Sequence, residues 1–146
     1  MDFSTSKLYG VSNKKYLSEL LQLELKTLKN VDQYYTVHPF KKKTNNKIRE
    51  LYNPSNKYKR ALKRITRYLN DLDFPDYLCG GIQNVSYVDN ASRHLNKNYM
   101  LVVDIANFFP STRDSYVYAF FHNSLNQPPD IAKILVNLGT AKTNDQ

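Results

Sequence analysis

The sequence predicts an α+β fold, because segments with a helical spacing of apolar residues alternate with segments typical of strands. Leucines recur at helical spacing between Asn13 and Lys29, and a second apolar stripe follows Pro54. Between them, QYYTVHPF and KIRELY are rich in strand-forming residues and flank the turn sequence KTNN, which predicts a β-hairpin. The length of 146 residues suits one domain with a modest core.

The remaining elements follow from caps and periodicity. Ser12 or Asn13 is expected to cap the first helix, and the stripe after Pro54 comprises Tyr58, Ala61, Leu62, Ile65 and Leu69. DFPDYLCGGIQNVSY is predicted to be a loop, with a short helix beginning near Asp89. The apolar run Tyr99 to Ile105 predicts a buried strand, and Ser111 with Asp114 resembles a capping box. The last helix is predicted to start at Pro128-Pro129-Asp130 and to end at Gly139 as its C-cap.

Charge is concentrated in one stretch of the chain. The net charge is +8, and 11 of the 21 Lys and Arg residues lie between Lys41 and Arg67 with Glu50 as the one acid. That stretch carries +10, so the rest of the chain carries −2. A solvated surface helix is the usual alternative, but such helices intersperse Glu among their Lys residues. An anionic partner is therefore expected. It would face a ribbon of cations along the predicted helix after Pro54: Lys57, Arg60, Arg64 and Arg67.

Asp104 is the strongest candidate for chemistry in the residue pattern alone. It interrupts the apolar run Tyr99 to Ile105, and burying a carboxylate is costly unless a partner such as a metal ion compensates it. The alternative is an Asp at a strand end that meets solvent or caps a turn. The string that follows it, Phe108-Phe109-Pro110, is unusual and favours a functional motif.

VVDIANFFPST resembles the first catalytic motif of reverse transcriptases, in which a palm strand supplies an Asp ligand for two divalent ions. The resemblance implies that Asp104 is the catalytic and metal-binding carboxylate, with the Ile105 backbone carbonyl beside it. The implied cofactor of the complete enzyme is Mg²⁺, with Mn²⁺ as an alternative. Phe109 would be the steric gate against a 2′-hydroxyl, whereas core packing is the alternative role for Phe108 and Phe109.

A second motif points to the retron subfamily. NASRH, from Asn90 to His94, matches the N-A-x-x-H element of retron reverse transcriptases, and Ser86 stands where the pattern S-x-x-x-N-A expects it. Asn90 and His94 are one helical turn apart, so both are candidates to contact template RNA or to brace the neighbouring motif. A hydrogen-bonded structural role is the alternative for His94.

A third segment, KIRELYNPSNKYK, resembles the fingers segment of the same family, with Tyr58 where Leu is usual. The resemblance implies that Arg49 and a nearby lysine bind the triphosphate of the incoming nucleotide, which suits the bidentate geometry of Arg and the point charge of Lys. Lys43 and Lys47 are the assigned candidates, and Lys41 and Lys42 remain open. Other departures from the family pattern are Gly81, Leu62 and Ala106-Asn107.

The resemblance implies the fingers and partial palm of a right-hand polymerase, with an incomplete sheet. The implied domains are an N-terminal helical segment (1–30), a fingers-like region (31–88), a partial palm with the first catalytic Asp motif (89–140) and a polar tail (141–146). Neither a Q-G motif nor a Y-x-D-D motif follows Thr140. Since two-metal catalysis needs further carboxylates, the isolated chain is expected to be inactive.

The implied function is that of the N-terminal part of a retron-type reverse transcriptase, which copies RNA into DNA in phage defence. The expected partners are template RNA and the RNA–DNA hybrid. Either the chain is a piece of a longer or interrupted gene product, or a C-terminal polymerase half completes it. The alternatives are a non-catalytic RNA-binding module and a protein-interaction domain with an acidic partner. The sequence has neither a signal peptide nor a membrane-length apolar run, which predicts a cytoplasmic protein.

Overall fold

The computed structural model describes residues 2–31, 37–44 and 47–140. It confirms a combination of helices with a small antiparallel sheet. The helices are α1 (Lys14–Leu21), α2 (Leu25–Lys29), α3 (Asn56–Asn70), α4 (Tyr87–Ser92), α5 (Phe108–Ser111), α6 (Asp114–Ala119) and α7 (Pro129–Gly139), and α6 continues into a π-helical turn, Phe120–Ser124. The strands are β1 (Val37–Thr44) and β2 (Lys47–Pro54). None of the described helices combines the length and apolar character needed to cross a bilayer.

The first predicted helix is two helices. Its predicted cap is confirmed, since the Asn13 side chain accepts a hydrogen bond from the Tyr16 backbone N–H at 2.8 Å. The chain then breaks at Gln22, whose φ of 51° and ψ of 45° are left-handed. Gln22 N–H donates to the Glu19 carbonyl and Leu23 N–H to the Ser18 carbonyl, the two bonds of a Schellman motif. This motif ends α1, so the prediction of one continuous helix was wrong.

The core joins both ends of the described chain to α3. The predicted inward stripe of α3 is confirmed by the burial of Tyr58, Ala61 and Ile65. These side chains belong to one apolar cluster with residues from the N-terminal turn and helices and from the C-terminal helices: Leu8, Leu17, Leu21, Leu28, Leu125, Ile131, Leu135 and Leu138. Fully burying a side chain of this size contributes about 1.5–3 kcal/mol. Burial along this cluster therefore holds three segments distant in sequence together.

Two side chains of α3 complete the C-terminal end of α1. The Tyr68 hydroxyl donates to the Leu20 carbonyl at 3.1 Å, and the Arg64 guanidinium donates to the Leu21 carbonyl at 3.2 Å and to the Gln22 side-chain oxygen. The last four carbonyls of a helix have no partner within it. Here the Schellman bonds satisfy the first two, and Tyr68 and Arg64 satisfy the others.

The N-terminal turn is tied to the C-terminal helices by further hydrogen bonds. Gly10 N–H donates to the Leu125 carbonyl at 2.8 Å, and the Gln127 side-chain amide donates to the Leu8 carbonyl at 2.8 Å. Gln127 is buried, and its side-chain N–H donates this bond, whereas its side-chain oxygen has no hydrogen-bond partner among the described residues. These bonds span more than a hundred residues of sequence and close the core.

The β-hairpin is confirmed within the described residues. β1 and β2 pair antiparallel from Val37 opposite Pro54 to Thr44 opposite Lys47. The predicted strand residues 33–36, turn residues 45–46 and polar tail 141–146 lie outside the described residues. The predicted division of the chain into four regions remains a prediction.

The predicted buried strand over Tyr99 to Ile105 was wrong. The segment lies outside any helix or strand, and its side chains are exposed. A strand needs hydrogen bonds from a neighbouring strand. Among the residues that the structure describes, no backbone hydrogen bond reaches this segment, and the described sheet contains only β1 and β2.

The ends of the later helices agree with the sequence prediction in part. α4 starts at Tyr87 with Ser86 as its N-cap, close to the predicted start near Asp89. The predicted capping box at Ser111 and Asp114 is not formed, since Ser111 closes α5 and Arg113 precedes α6 without a side-chain cap bond. α7 ends at Gly139 as predicted, but its C-cap is Thr140, which needs no left-handed backbone.

We predict that Arg64→Ala lowers the free energy of unfolding by about 1–3 kcal/mol, because the part-buried Leu21 carbonyl loses a charged donor. Urea denaturation followed by circular dichroism measures the change. Arg67→Ala is the control, because Arg67 is exposed and has no hydrogen bond within the described part of the chain. A shift for Arg64→Ala no larger than that for Arg67→Ala would contradict the structural role of Arg64.

Candidate nucleic-acid interface

α3 turns one face to the core and carries cations on the others. Arg60, Lys63 and Arg67 are exposed at positions i, i+3 and i+7 of the helix, opposite the buried stripe. Within the described residues these three cations form no ion pair. They therefore form an outward basic row.

The other two cations of the predicted ribbon have partners inside the protein. Lys57 makes an exposed ion pair with Glu24 at 3.3 Å, and Arg64 is held at the end of α1. An exposed pair of this kind contributes little to stability, so the Lys57 ammonium remains accessible to another anion. Lys63 was not part of the predicted ribbon, although its spacing of three from Arg60 and four from Arg67 is a helical signal for it.

The hairpin register gives each of its cations a different opposite residue. Lys42 is opposite Arg49, and Lys47 is opposite Thr44. Lys43 is opposite Ile48, and Lys41 is opposite Glu50. The register therefore places Lys42, rather than Lys43, directly opposite Arg49.

The NASRH motif begins within a capped helix. The Ser86 side chain accepts from the Asp89 backbone N–H at 3.2 Å, while the Ser86 hydroxyl and backbone N–H donate to the Asp89 carboxylate at 2.6 Å and 2.7 Å. The bonds that the Ser86 hydroxyl and backbone N–H donate lower the pKa of the Asp89 carboxyl from its usual value. This capping box accounts for the serine and places Asp89 in the first turn of α4.

Asn90 and His94 are both exposed. Asn90 lies inside α4, and the turn continues beyond it, with Arg93 N–H donating to the Asn90 carbonyl at 3.3 Å and His94 N–H to the Ala91 carbonyl at 3.0 Å. His94 therefore lies beyond Ser92, the last residue of α4, in a turn of i→i+3 bonds, and the shared face of Asn90 and His94 remains a prediction.

Asp104 and Ile105 lie in the exposed segment that precedes α5. The chain turns at Asn107, whose φ is 52°, and the Asn107 carbonyl accepts from Ser111 N–H at 2.8 Å. Phe108 and Phe109 pack edge to face with ring centroids 5.3 Å apart, and both are exposed. Neither ring packs in the core, so the core-packing alternative for this pair was wrong.

The described residues do not form a complete metal centre. Among them, no three His, Cys, Asp or Glu side chains lie close enough together to hold an ion. Asp104 is a single exposed carboxylate, and a two-metal site needs several carboxylates around both ions. The donor set of the described chain therefore does not fit a two-metal centre by itself.

The candidate groups lie on separate parts of the described chain. No described hydrogen bond, ion pair or ring contact joins the hairpin, the NASRH helix and Asp104 to one another. The basic row of α3 is fixed by the core, whereas residues 87–111 include no buried side chain.

Comparison with known proteins identifies relatives of this chain. It is 30% identical over 135 residues to the Retron Se72 reverse transcriptase of Salmonella heidelberg (strain 579083-10), an alignment that covers 89% of this chain and 36% of that relative. It is 27% identical over 119 residues to the Retron Ec86 reverse transcriptase of Escherichia coli, covering 77% of this chain and 37% of that relative. No protein-family model and no solved structure matches the chain. The chain is therefore a homologue of retron reverse transcriptases that spans about a third of their length, which confirms the resemblance to that family.

Proposed function

We propose that this homologue of retron reverse transcriptases is the RNA-gripping part of an RNA-directed DNA polymerase, to which Asp104 contributes one metal-binding carboxylate. The observation that carries the proposal is the outward basic row on α3, which the buried stripe of the same helix holds in place. Phosphates of a polynucleotide are the anions that such a row suits. A role in phage defence follows from the retron relationship and is part of the same proposal.

Arg60, Lys63 and Arg67 contact the phosphate backbone of the template RNA or of the RNA–DNA hybrid. Contacts of this kind position the polynucleotide without reading its sequence. Because α3 is anchored in the core, these cations are held in a row before RNA arrives. The backbone of α3 therefore loses little conformational entropy when RNA binds.

The hairpin contributes the nucleotide-binding cations. Arg49 and Lys47 bind the triphosphate together with Lys43 or with Lys42, which is opposite Arg49 in the hairpin. Arg49 supplies bidentate hydrogen bonds and the lysines supply point charges. Phe109, 85% exposed, is free to limit the sugar that can bind beside it.

Asp104, with the Ile105 carbonyl, is the share of the metal centre that this chain supplies. In the complete enzyme Mg²⁺, or Mn²⁺ in its place, would neutralise charge on the reacting phosphate. Further carboxylates must come from residues outside these 146, either in the same polypeptide or in a second one. The exposed segment around Asp104 would then gain the strand partners that it lacks here.

We predict that the chain binds single-stranded RNA with an affinity that falls steeply as salt is raised, because bound cations displace counterions from the phosphates. The triple variant Arg60→Ala, Lys63→Ala, Arg67→Ala should reduce the slope of log affinity against log salt by up to about 2. Fluorescence anisotropy of a labelled RNA between about 50 and 200 mM salt measures both quantities.

The charge-matched control is Lys7→Ala, Lys15→Ala, Lys133→Ala, which removes three exposed cations outside the basic row. If both triple variants reduce the slope of log affinity against log salt equally, net charge alone would explain RNA binding. That result would contradict a defined interface on α3. The absence of RNA binding at low salt would instead favour a protein-interaction domain.

We predict that the 146-residue chain alone does not extend a primer on an RNA template with Mg²⁺ or Mn²⁺, since one carboxylate cannot hold two ions. Mixing it with the remaining two thirds of a retron reverse transcriptase should restore extension, and Asp104→Ala should abolish the restored activity. A primer-extension gel measures both.

Asp104→Ala should leave RNA affinity unchanged, because Asp104 lies outside the basic row. Extension by the isolated chain that depends on Asp104 would refute the incomplete-centre account. Restored extension that tolerates Asp104→Ala would instead favour a non-catalytic RNA-binding module.

A further inference from the structure

The turn between Asp104 and the two phenylalanines contains a residue in the left-handed conformation. Asn107 has a φ of 52° and a ψ of 43°, and its carbonyl accepts a hydrogen bond from Ser111 N–H at 2.8 Å. The Cβ of an L-residue is crowded in this conformation, which Gly and Asn adopt more readily than other residues. The residue type at position 107 therefore determines how readily the chain turns into α5.

Thr112 closes α5 at its other end. The Thr112 hydroxyl donates to the Phe108 carbonyl at 2.8 Å, and Thr112 N–H donates to the Phe109 carbonyl at 3.2 Å. One residue thus holds the backbone of both phenylalanines. α5 has four residues, and a single helical turn is unstable without such support.

The position of the Phe109 ring depends on this turn rather than on core packing. Phe109 is 85% exposed, and neither Phe109 nor Phe108 belongs to the apolar core. Within the described part of the chain, the one aromatic partner of Phe109 is Phe108, with ring centroids 5.3 Å apart. Because no buried neighbour holds the ring, the backbone from Asn107 to Thr112 sets its direction relative to Asp104.

We propose that Asn107 and Thr112 are positioning residues that set Phe109 relative to Asp104 and thereby determine how strongly the polymerase excludes ribonucleotides. The inference rests on the proposed function, in which Asp104 binds metal and Phe109 limits the sugar, and it adds two residues that control this specificity. Displacements of about 1 Å at a reaction site have large effects on rate. A loosened turn would therefore let the Phe109 ring move away from the 2′-hydroxyl that it excludes.

The test uses the chain together with the remaining two thirds of a retron reverse transcriptase, and it measures kcat/KM for a deoxynucleotide and for the matching ribonucleotide. Asn107→Ala should lower the ratio of the two values by up to about 30-fold, the loss of population that a strained left-handed residue causes. Asn107→Gly should keep the ratio, because Gly adopts this conformation without strain. A loss of folded enzyme would lower both values equally and leave their ratio unchanged.

Further variants separate the turn from general effects of substitution. Thr112→Val removes the hydroxyl and should lower the ratio, whereas Thr112→Ser retains the hydroxyl and should keep it. Asn84→Ala is the matched control, because Asn84 is exposed and also left-handed, with a φ of 65°, but lies in the loop before α4. It should leave the ratio unchanged.

Nuclear magnetic resonance of the 146-residue chain tests the positioning without any activity. The unmodified chain and Asn107→Gly should show a nuclear Overhauser effect between the rings of Phe108 and Phe109, which pack edge to face. Asn107→Ala and Thr112→Val should weaken it. Asn84→Ala should not.

An unchanged ratio in Asn107→Ala, or equal losses in Asn107→Ala and Asn107→Gly, would overturn the inference even if extension that depends on Asp104 persists. A ring Overhauser effect of full strength in both Asn107→Ala and Thr112→Val would also overturn it. Failure of the unmodified, completed enzyme to extend any primer would instead overturn the proposed function and with it the role in sugar selection. The magnetic resonance result would then still show whether Asn107 and Thr112 position Phe109, so the two failures are distinguishable.

Discussion

The seating of α3 against the C-terminal end of α1 is the constraint on which the other features depend. Arg64 and Tyr68 satisfy the Leu21 and Leu20 carbonyls, while the stripe of Tyr58, Ala61 and Ile65 enters the shared core. The hydrogen bonds of Arg64 and Tyr68 fix the rotation of α3 about its own axis, and the buried stripe fixes how closely α3 packs against the core. With both fixed, the remaining cations of α3 can only face outward, which makes one helix both a core element and a candidate RNA surface.

The same constraint separates a rigid part of the chain from exposed extensions. The hairpin leads directly into α3, and residues 75–116 leave the core after Phe74 and return at Val117. The motifs with chemical character occur on these extensions, where binding groups remain uncommitted. Asp104 lies in an apolar segment without a partner, which agrees with a chain that spans about a third of its relatives.

Local features were predictable from the sequence, whereas features that depend on distant partners were not. The Asn13 cap, the hairpin and the stripe of α3 follow from spacing and cap chemistry within a few residues. The helix break at Gln22 was not predictable, because neither Gly nor Pro stands there. The role of Arg64 depends on a helix more than forty residues away. The Tyr99 to Ile105 segment has a strand pattern, but a pattern cannot supply the neighbouring strand that it needs. That Lys42 lies opposite Arg49 depends on the hairpin register, which the sequence alone does not fix.

Hydrogen–deuterium exchange of the chain with and without single-stranded RNA tests the central claim most directly, that an RNA-binding surface is mounted on a closed helical core. In the free chain, amides of α3 and α7 should exchange slowly and those of residues 98–105 rapidly. RNA should slow exchange in α3 and α4 and leave α7 unchanged. Slow exchange of residues 98–105 in the free chain, or RNA protection confined to α7, would contradict the account.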